Sequence, residues 1–466
     1  MNGTTVERFG ETGFSLSTGL PPWLLKAAVG TGVVVGAAYV LSPLTVVVGL
    51  ALIPLFRWAG RDIPAAERRW VYGVLAAGVL LRVLAIAGLM VTANHDAGTF
   101  AKFFGDEEFY QLRGQRLYNI EMGIPVSMES LLYAYDKTGV SIYQTLLVLI
   151  QLLVGPAPYG LHLLNSLLFL FGVVLLYRVV RRSLGAVVAG VGATLLLFFP
   201  SLFMWSVSAL KESPFLTATA LTLVAAVSLP RAKTPGGFAS AAIGLVGGSL
   251  LCGALRPGGT LLTAAGVGLG YVLWLSSLRR TILFVVAAAC VYASVSVVRS
   301  GLSPRAETQL EQMASYHRGH VFTSGHYYKL LDDRFYTEYW GPLVKLRMTN
   351  PEASRFVVRA IANYVAQPLP WKVASRFELA YMPELFVWYL LAILFPLGCL
   401  LAFRRDALLT CVLAGYSLVN VFVIALNSGN IGTLVRHRAL VVPYMIWMSA
   451  TGLIAILEKG APHGHR

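Results

Sequence analysis

The chain has 466 residues, of which 56% are hydrophobic and only 13% are charged, with a mean hydropathy of +0.68. A soluble protein carries about 25% charged residues, so a soluble globular fold is excluded, as are a disordered chain, a collagen-like repeat and a disulfide scaffold. The formal net charge of +15 comes with no zinc-finger or RNA-binding motif; it reads as loop lysines and arginines facing anionic lipid head groups, so membrane lipids are the expected partners and nucleic acid is not.

A helix needs about 20 apolar residues to cross the hydrocarbon core. Such runs are predicted near 24–41, 43–57, 70–92, 158–178, 185–206 and 213–230, and again near 238–255, 258–277, 281–298, 386–403, 407–427 and 438–457. The expected fold class is therefore an all-α polytopic membrane protein with about 12 transmembrane helices and juxtamembrane helices in the first large external loop. The first two runs are short and meet at Ser42-Pro43, so a shallow hairpin is the other reading for them. The first 20 residues lack an apolar core, and no secretory signal peptide is expected.

Basic residues cluster at Arg57/Arg61/Arg68/Arg69, Arg178/Arg181/Arg182, Arg231/Lys233, Arg279/Arg280 and Arg404/Arg405. These fall at alternate connections if 139–156, which ends at Gly155-Pro156-Ala157-Pro158, lies along the membrane as an interfacial helix. The positive-inside tendency then places both termini in the cytoplasm of a multi-pass cell membrane. The chain divides into a cytoplasmic N-terminus with two short spans (1–69), a transmembrane core (70–298) with an external loop (94–157), a large external segment (299–385), and C-terminal spans with a short tail (386–466). The pairs Gly32/Gly36, Gly244/Gly248 and Gly266/Gly270 have the small-residue spacing of close helix packing. Cys252, Cys290, Cys399 and Cys411 lie in apolar runs without metal-site or disulfide spacing.

Residues with chemistry gather on the expected outer side. The segment Phe104-Gly-Asp-Glu-Glu-Phe-Tyr110 reads as a helix start, with Asp106, Tyr110 and Arg113 on one face and Asp106 and Glu107 in the first turn, where the dipole favours carboxylates. A carboxylate there suits a general base acting on a hydroxyl; a solvated acidic helix start is the plainer reading. Lys211-Glu212 sits in a short external turn, where the lysine either snorkels or meets a lipid phosphate, with Glu212 as its support. Arg256-Pro257-Gly258-Gly259 is a second tight turn, and Arg436-His437-Arg438 opens the last span against the positive-inside tendency. An anion there, phosphate or pyrophosphate, satisfies bidentate guanidinium groups; an ion pair is the structural alternative. His317, His320 and His326 match no zinc spacing. His95 and Asp96 with Asp106 and Glu108 offer a divalent cation a set of oxygen and nitrogen ligands, although no cofactor is firmly implied. His162, inside a span beside Asn165, is expected to hydrogen-bond to a neighbouring helix.

Three stretches in this order resemble the C-type integral-membrane glycosyltransferase superfamily, in particular its protein O-mannosyltransferase and aminoarabinose-transferase branch. They are Gly105-Asp106-Glu107-Glu108-Phe109-Tyr110, the run from Leu164-Asn165-Ser166 through Phe199-Pro200 to Leu210-Lys211-Glu212, and Arg436-His437-Arg438 with Pro443. The resemblance implies transfer of a sugar from a polyprenyl-phosphate donor to an acceptor (lipid, glycan or protein) on the periplasmic or extracellular face. It implies that Asp106, with Glu107 beside it, acts on the acceptor. Lys211, Arg256, Arg436 and Arg438 would then hold the donor phosphate, with Tyr110, Glu212 and His437 supporting. The sequence departs from the branch in two preceding spans, a long 299–385 segment and no soluble C-terminal domain. Two rival readings are an O-antigen-ligase or polymerase-like enzyme, favoured by the histidines at 317–326, and a lipid or glycan transporter. Against transport, the charges gather at the membrane boundary and no repeat is visible.

Overall fold

The computed structural model describes residues 21–92, 105–136, 142–155, 158–279, 281–282, 284–289, 291–292, 303–323, 325–337, 346–372 and 376–460. Its first half comprises α1 (Pro22–Leu41), α2 (Pro43–Ala59), α3 (Ala65–Thr92), α4 (Gly105–Glu121), α5 (Met128–Tyr135), α6 (Ile142–Val154), α7 (Pro158–Leu184), α8 (Ala186–Phe198) and α9 (Pro200–Ser206). Then come α10 (Glu212–Ser228), α11 (Pro235–Leu255), α12 (Gly259–Leu278), α13 (Pro304–Val321), α14 (Asn350–Ala366), α15 (Arg376–Arg405), α16 (Ala407–Asn427), α17 (Ile431–Arg438) and α18 (Val442–Gly460). Among the described residues there is no strand beyond an isolated bridge between Tyr327 and Asn430.

The chain is an all-α polytopic membrane protein. Among the described residues seven helices are long and apolar enough to cross a membrane, and nine spans result if each of two bent pairs counts as one. This is fewer than the twelve expected runs. α1 and α2 fall outside that set; Ser42 caps α2 through its side chain at 3.2 Å from Leu44 N, and α2 then packs along α7. The run 281–298 lies partly outside the described residues. The runs 185–206 and 438–457 belong to broken elements, α8/α9 bent by 63° and α17/α18 by 66°. Proline at position 200 causes the first break, because it cannot donate to the preceding turn. The interfacial reading of 139–156 has a counterpart in α6, a 13-residue helix that buries Tyr143, Leu147 and Gln151 while leaving Leu146, Leu149 and Leu153 exposed.

Small residues set close helix crossings. A Cβ on Gly415 of α16 would meet Gly270 N at 2.5 Å and Gly266 O at 2.7 Å, so α12 and α16 touch backbone to backbone. Gly32 and Gly36 of α1 have nothing within reach and close no such contact among the described residues.

Several arginines, most of them buried, close helix ends. A broken helix leaves C-terminal carbonyls without donors, and a guanidinium supplies several donors together with a charge of the favourable sign. Arg82, 1% exposed in the middle of α3, donates to Leu197 O at the end of α8 (3.0 Å) and to Ser206 Oγ at the end of α9 (2.8 Å). The rings of Phe169 and Phe203 flank it at 4.8 and 4.9 Å. Arg113 donates to Ala134 O and Asp136 O at the end of α5, and Arg405 to Leu184 O at the end of α7.

Candidate functional site

One end of the bundle gathers four sequence-distant segments: the start of α4, the turn 207–211 before α10, the turn 256–258 between α11 and α12, and α17. The turn 207–211 is irregular, so its carbonyls need donors from elsewhere. Asn165 Nδ2 donates to Ser208 O and Leu210 O, both at 2.7 Å; Ser166 Oγ donates to Ser206 O at 3.0 Å, and Tyr143 Oη to Ala209 O at 2.5 Å. α6 and α7 thereby fix where Lys211 and Glu212 stand. The turn 256–258 reaches its shape through Gly258, whose φ of 78° is left-handed, and it presents Arg256 to the same place.

Glu212 is the centre. It is buried, and its Oε1 accepts from Arg436 Nε at 2.8 Å, from Arg436 Nη2 at 2.8 Å and from Arg256 Nη2 at 3.0 Å. Arg436 Nη1 continues to Asp106 Oδ2, and the Arg436 guanidinium lies 5.8 Å from the Trp205 ring centre. Lys211 stands beside this chain of charges with its ammonium 5.4 Å from the Tyr110 ring centre. Burial, and then the neighbouring Arg256, pull the lysine pKa down to about 8. Burial likewise raises the Tyr110 phenol and lowers the Arg256 guanidinium. Among the described residues no carboxylate lies within ion-pair distance of Lys211. Lys211, Arg256 and Arg436 thus face Asp106 and Glu212, three cations against two carboxylates. His437 is in electrostatic reach of Arg256, Arg436, Lys211 and His320.

The expected residues do not all meet. Asp106 is exposed and belongs to the cluster, whereas Glu107, its neighbour, is fully buried against His162 Nε2 and Gln111 Nε2 (3.1 Å). Successive helical positions point about 100° apart, so two adjacent acids cannot serve one substrate atom. The same reasoning separates Arg436 from Arg438, since residues two apart on a helix do not share a face. Arg438 is 2% exposed and donates from Nη2 to Tyr364 O and Gln367 O, closing the C-terminus of α14 with its guanidinium 4.6 Å from the Trp388 ring centre. The structure places Arg438 in the interior, apart from the Glu212 cluster where Lys211, Arg256 and Arg436 gather. Arg113 leaves the expected shared face for α5, as described above.

The histidines of α13 hydrogen-bond to backbone carbonyls at the end of α16. His317 is fully buried; its Nδ1 donates to Ser428 O at 2.7 Å, and its Nε2 accepts from Leu330 N at 3.3 Å beside Tyr336 Oη at 3.0 Å. Burial lowers its pKa to about 4. His320 Nδ1 donates to Asn427 O at 2.8 Å, so the two rings close the end of α16 and set the entry to α17. Among the described residues no three His, Cys, Asp or Glu side chains are placed to hold a metal ion. His95, Asp96 and the Glu108 side chain lie outside the described residues, so that cation set is not addressed by the structure.

Comparisons with protein-family models, with curated proteins and with solved structures return no match. Sequence reasoning passed over Arg82, Trp205 and Ser213. A charged residue in the middle of the 70–92 run was the available signal for the first; nothing in the local sequence marks the other two.

Proposed function

We propose that the protein is a membrane glycosyltransferase of the C-type kind. It moves a sugar from a polyprenyl-phosphate donor to an acceptor hydroxyl at the non-cytoplasmic face, with twelve spans in the complete fold and both termini inside. One observation carries the reading: a cluster at one end of the bundle in which Asp106 and Lys211 are held around the Glu212–Arg256–Arg436 ion-pair chain, with one positive charge in excess. Such a cluster suits a lipid-linked anion whose tail stays in the bilayer.

The residues divide the chemistry in a simple way. The Asp106 carboxylate takes the proton of the acceptor hydroxyl as the oxygen attacks the anomeric carbon. The bond from that carbon to the phosphate oxygen breaks, and the electron pair leaves on the phosphate. Lys211 and the two arginines stabilise the growing charge. Direct displacement inverts the anomeric centre, an inference from family analogy. The ligase-like alternative loses one of its supports, because both ring nitrogens of His317 are committed to the fold.

The test uses the protein in nanodiscs with undecaprenyl phosphate and a panel of undecaprenyl-phosphate sugars. Wild type should bind the bare lipid phosphate and consume at least one sugar ester, and Lys211→Ala should weaken binding. Absence of binding and of turnover across the panel would remove the reading.

A further inference from the structure

Behind the ion-pair chain lies a small, partly open cavity of about 20 Å³, walled by Phe169, Phe215, Leu440 and Tyr444. Its polar lining includes Glu212 and Ser213, the first two residues of α10. Both are at least nine-tenths buried, with Ser213 1% exposed. Both also carry an atom without a hydrogen-bond partner, Glu212 Oε2 and Ser213 Oγ.

The geometry around Glu212 makes this unusual. Arginine normally grips a carboxylate through both oxygens. Here Arg436 and Arg256 converge on Oε1 alone, and Oε2 accepts no hydrogen bond. A buried carboxylate oxygen without a donor is costly, and native structures rarely leave one without a ligand or water. Ser213 Oγ makes no back-bond to its own helix, unlike Thr219 and Thr222 further along α10. An acceptor and a hydroxyl together in an aromatic-walled space match a small neutral group that donates to Oε2 and accepts from Ser213, which a water satisfies and a sugar hydroxyl can replace. The cavity has room for one water-sized group at its polar end, which the hydroxyl of a sugar standing at its mouth is. A phosphate is repelled there by the carboxylate and belongs with the cations Lys211, Arg256 and Arg436.

We infer that Glu212 Oε2 and Ser213 Oγ form a hydroxyl-binding subsite for the sugar of the lipid-linked donor. Glu212 then faces two ways: Oε1 orders the cations that hold the phosphate, and Oε2 reads a hydroxyl on the sugar that the same phosphate carries. The inference rests on the donor reading above.

Binding of bare undecaprenyl phosphate and of its mannosyl, glucosyl and arabinosyl esters to wild type and Ser213→Ala, both in nanodiscs, tests it. Wild type should bind at least one ester more tightly than the bare phosphate. Ser213→Ala should lose about two- to tenfold for that ester, the worth of one hydrogen bond, and should bind the bare phosphate as wild type does. Equal loss for ester and bare phosphate means that Ser213 acts only through the fold, which overturns the subsite. So does no loss for any ester, or a wild type that gains nothing from the sugar. A wild type that binds neither overturns the donor reading and the subsite with it. Thermal unfolding of Ser213→Ala, expected to match wild type, separates binding from folding.

Discussion

Arg436 and Glu212 stand 224 positions apart in sequence and meet at 2.8 Å, Nε to Oε1. That contact joins α17 to the start of α10, and through Asp106 and Arg256 it draws in α4 and the turn between α11 and α12. Four sequence-distant segments thereby become one charged cluster.

Removing the centre should be felt in stability. Glu212→Ala leaves Arg256 and Arg436 without their shared carboxylate. Breaking a buried pair in this way costs about 3–5 kcal/mol. Thermal unfolding in detergent should show a clear drop for Glu212→Ala, and Asp106→Ala, at an exposed position, should leave the unfolding temperature nearly unchanged.

Asp106→Asn keeps the shape of the side chain and removes its basicity. Turnover should fall about 10²–10⁴-fold, the usual contribution of a general base, with donor affinity little changed. Glu107→Gln changes a side chain buried against His162, so it should alter stability more than turnover. Rates measured for both variants on the same sugar ester check the division. Near-normal turnover in Asp106→Asn would take the base role from it.

Donor affinity should depend on pH through Lys211. The group holds its proton below its pKa of about 8 and loses it above. Binding that needs the ammonium is therefore full at pH 7 and falls as pH rises, by about tenfold at pH 9 for a pKa one unit lower. Lys211→Arg stays charged throughout this range, and its affinity should be flat between pH 7 and 9. A wild-type profile equally flat would show that the lysine does not meet the anion.

Arg436 and Arg438 should separate cleanly. Arg436→Ala should weaken donor binding. Arg438→Ala opens the end of α14 and should lower the unfolding temperature, while the folded fraction binds donor normally. Donor affinity and unfolding temperature measured for both variants decide the matter.

Much of the fold is legible because hydropathy is a local property. The runs 70–92, 213–230, 238–255, 258–277 and 407–427 each lie within one helix to within a few residues. Breaks at Ser42-Pro43 and Phe199-Pro200 are legible from proline for the same reason. The site is less legible, since it depends on which helix ends meet. Asp106, Lys211, Arg256 and Arg436 stand out as polar residues in short turns, yet their contacts bridge positions as far apart as 330. Arg438 looks like Arg436 in sequence, and the helical angle between them sends the two side chains to different partners. The surplus of arginine is read first as loop charge for lipid head groups, but Arg82, Arg113, Arg405 and Arg438 spend theirs on helix-end carbonyls.

The orientation is open to a labelling experiment. Gln312 of α13 is exposed and Arg61 is exposed before α3, whereas Ser315 is buried and unsuited to a probe. In intact cells an impermeant thiol reagent should label Gln312→Cys and spare Arg61→Cys. The reverse pattern would invert the topology and move the site to the cytoplasmic face.

The most direct measurement is a cryo-EM density map of the protein in nanodiscs with undecaprenyl phosphate. The phosphate should lie within about 3 Å of Lys211 Nζ, a hydrogen-bond distance, beside Arg256 and Arg436. Phosphate density against His320 or Arg438 instead, or a lipid head group with no contact to the Glu212 cluster, would contradict the account.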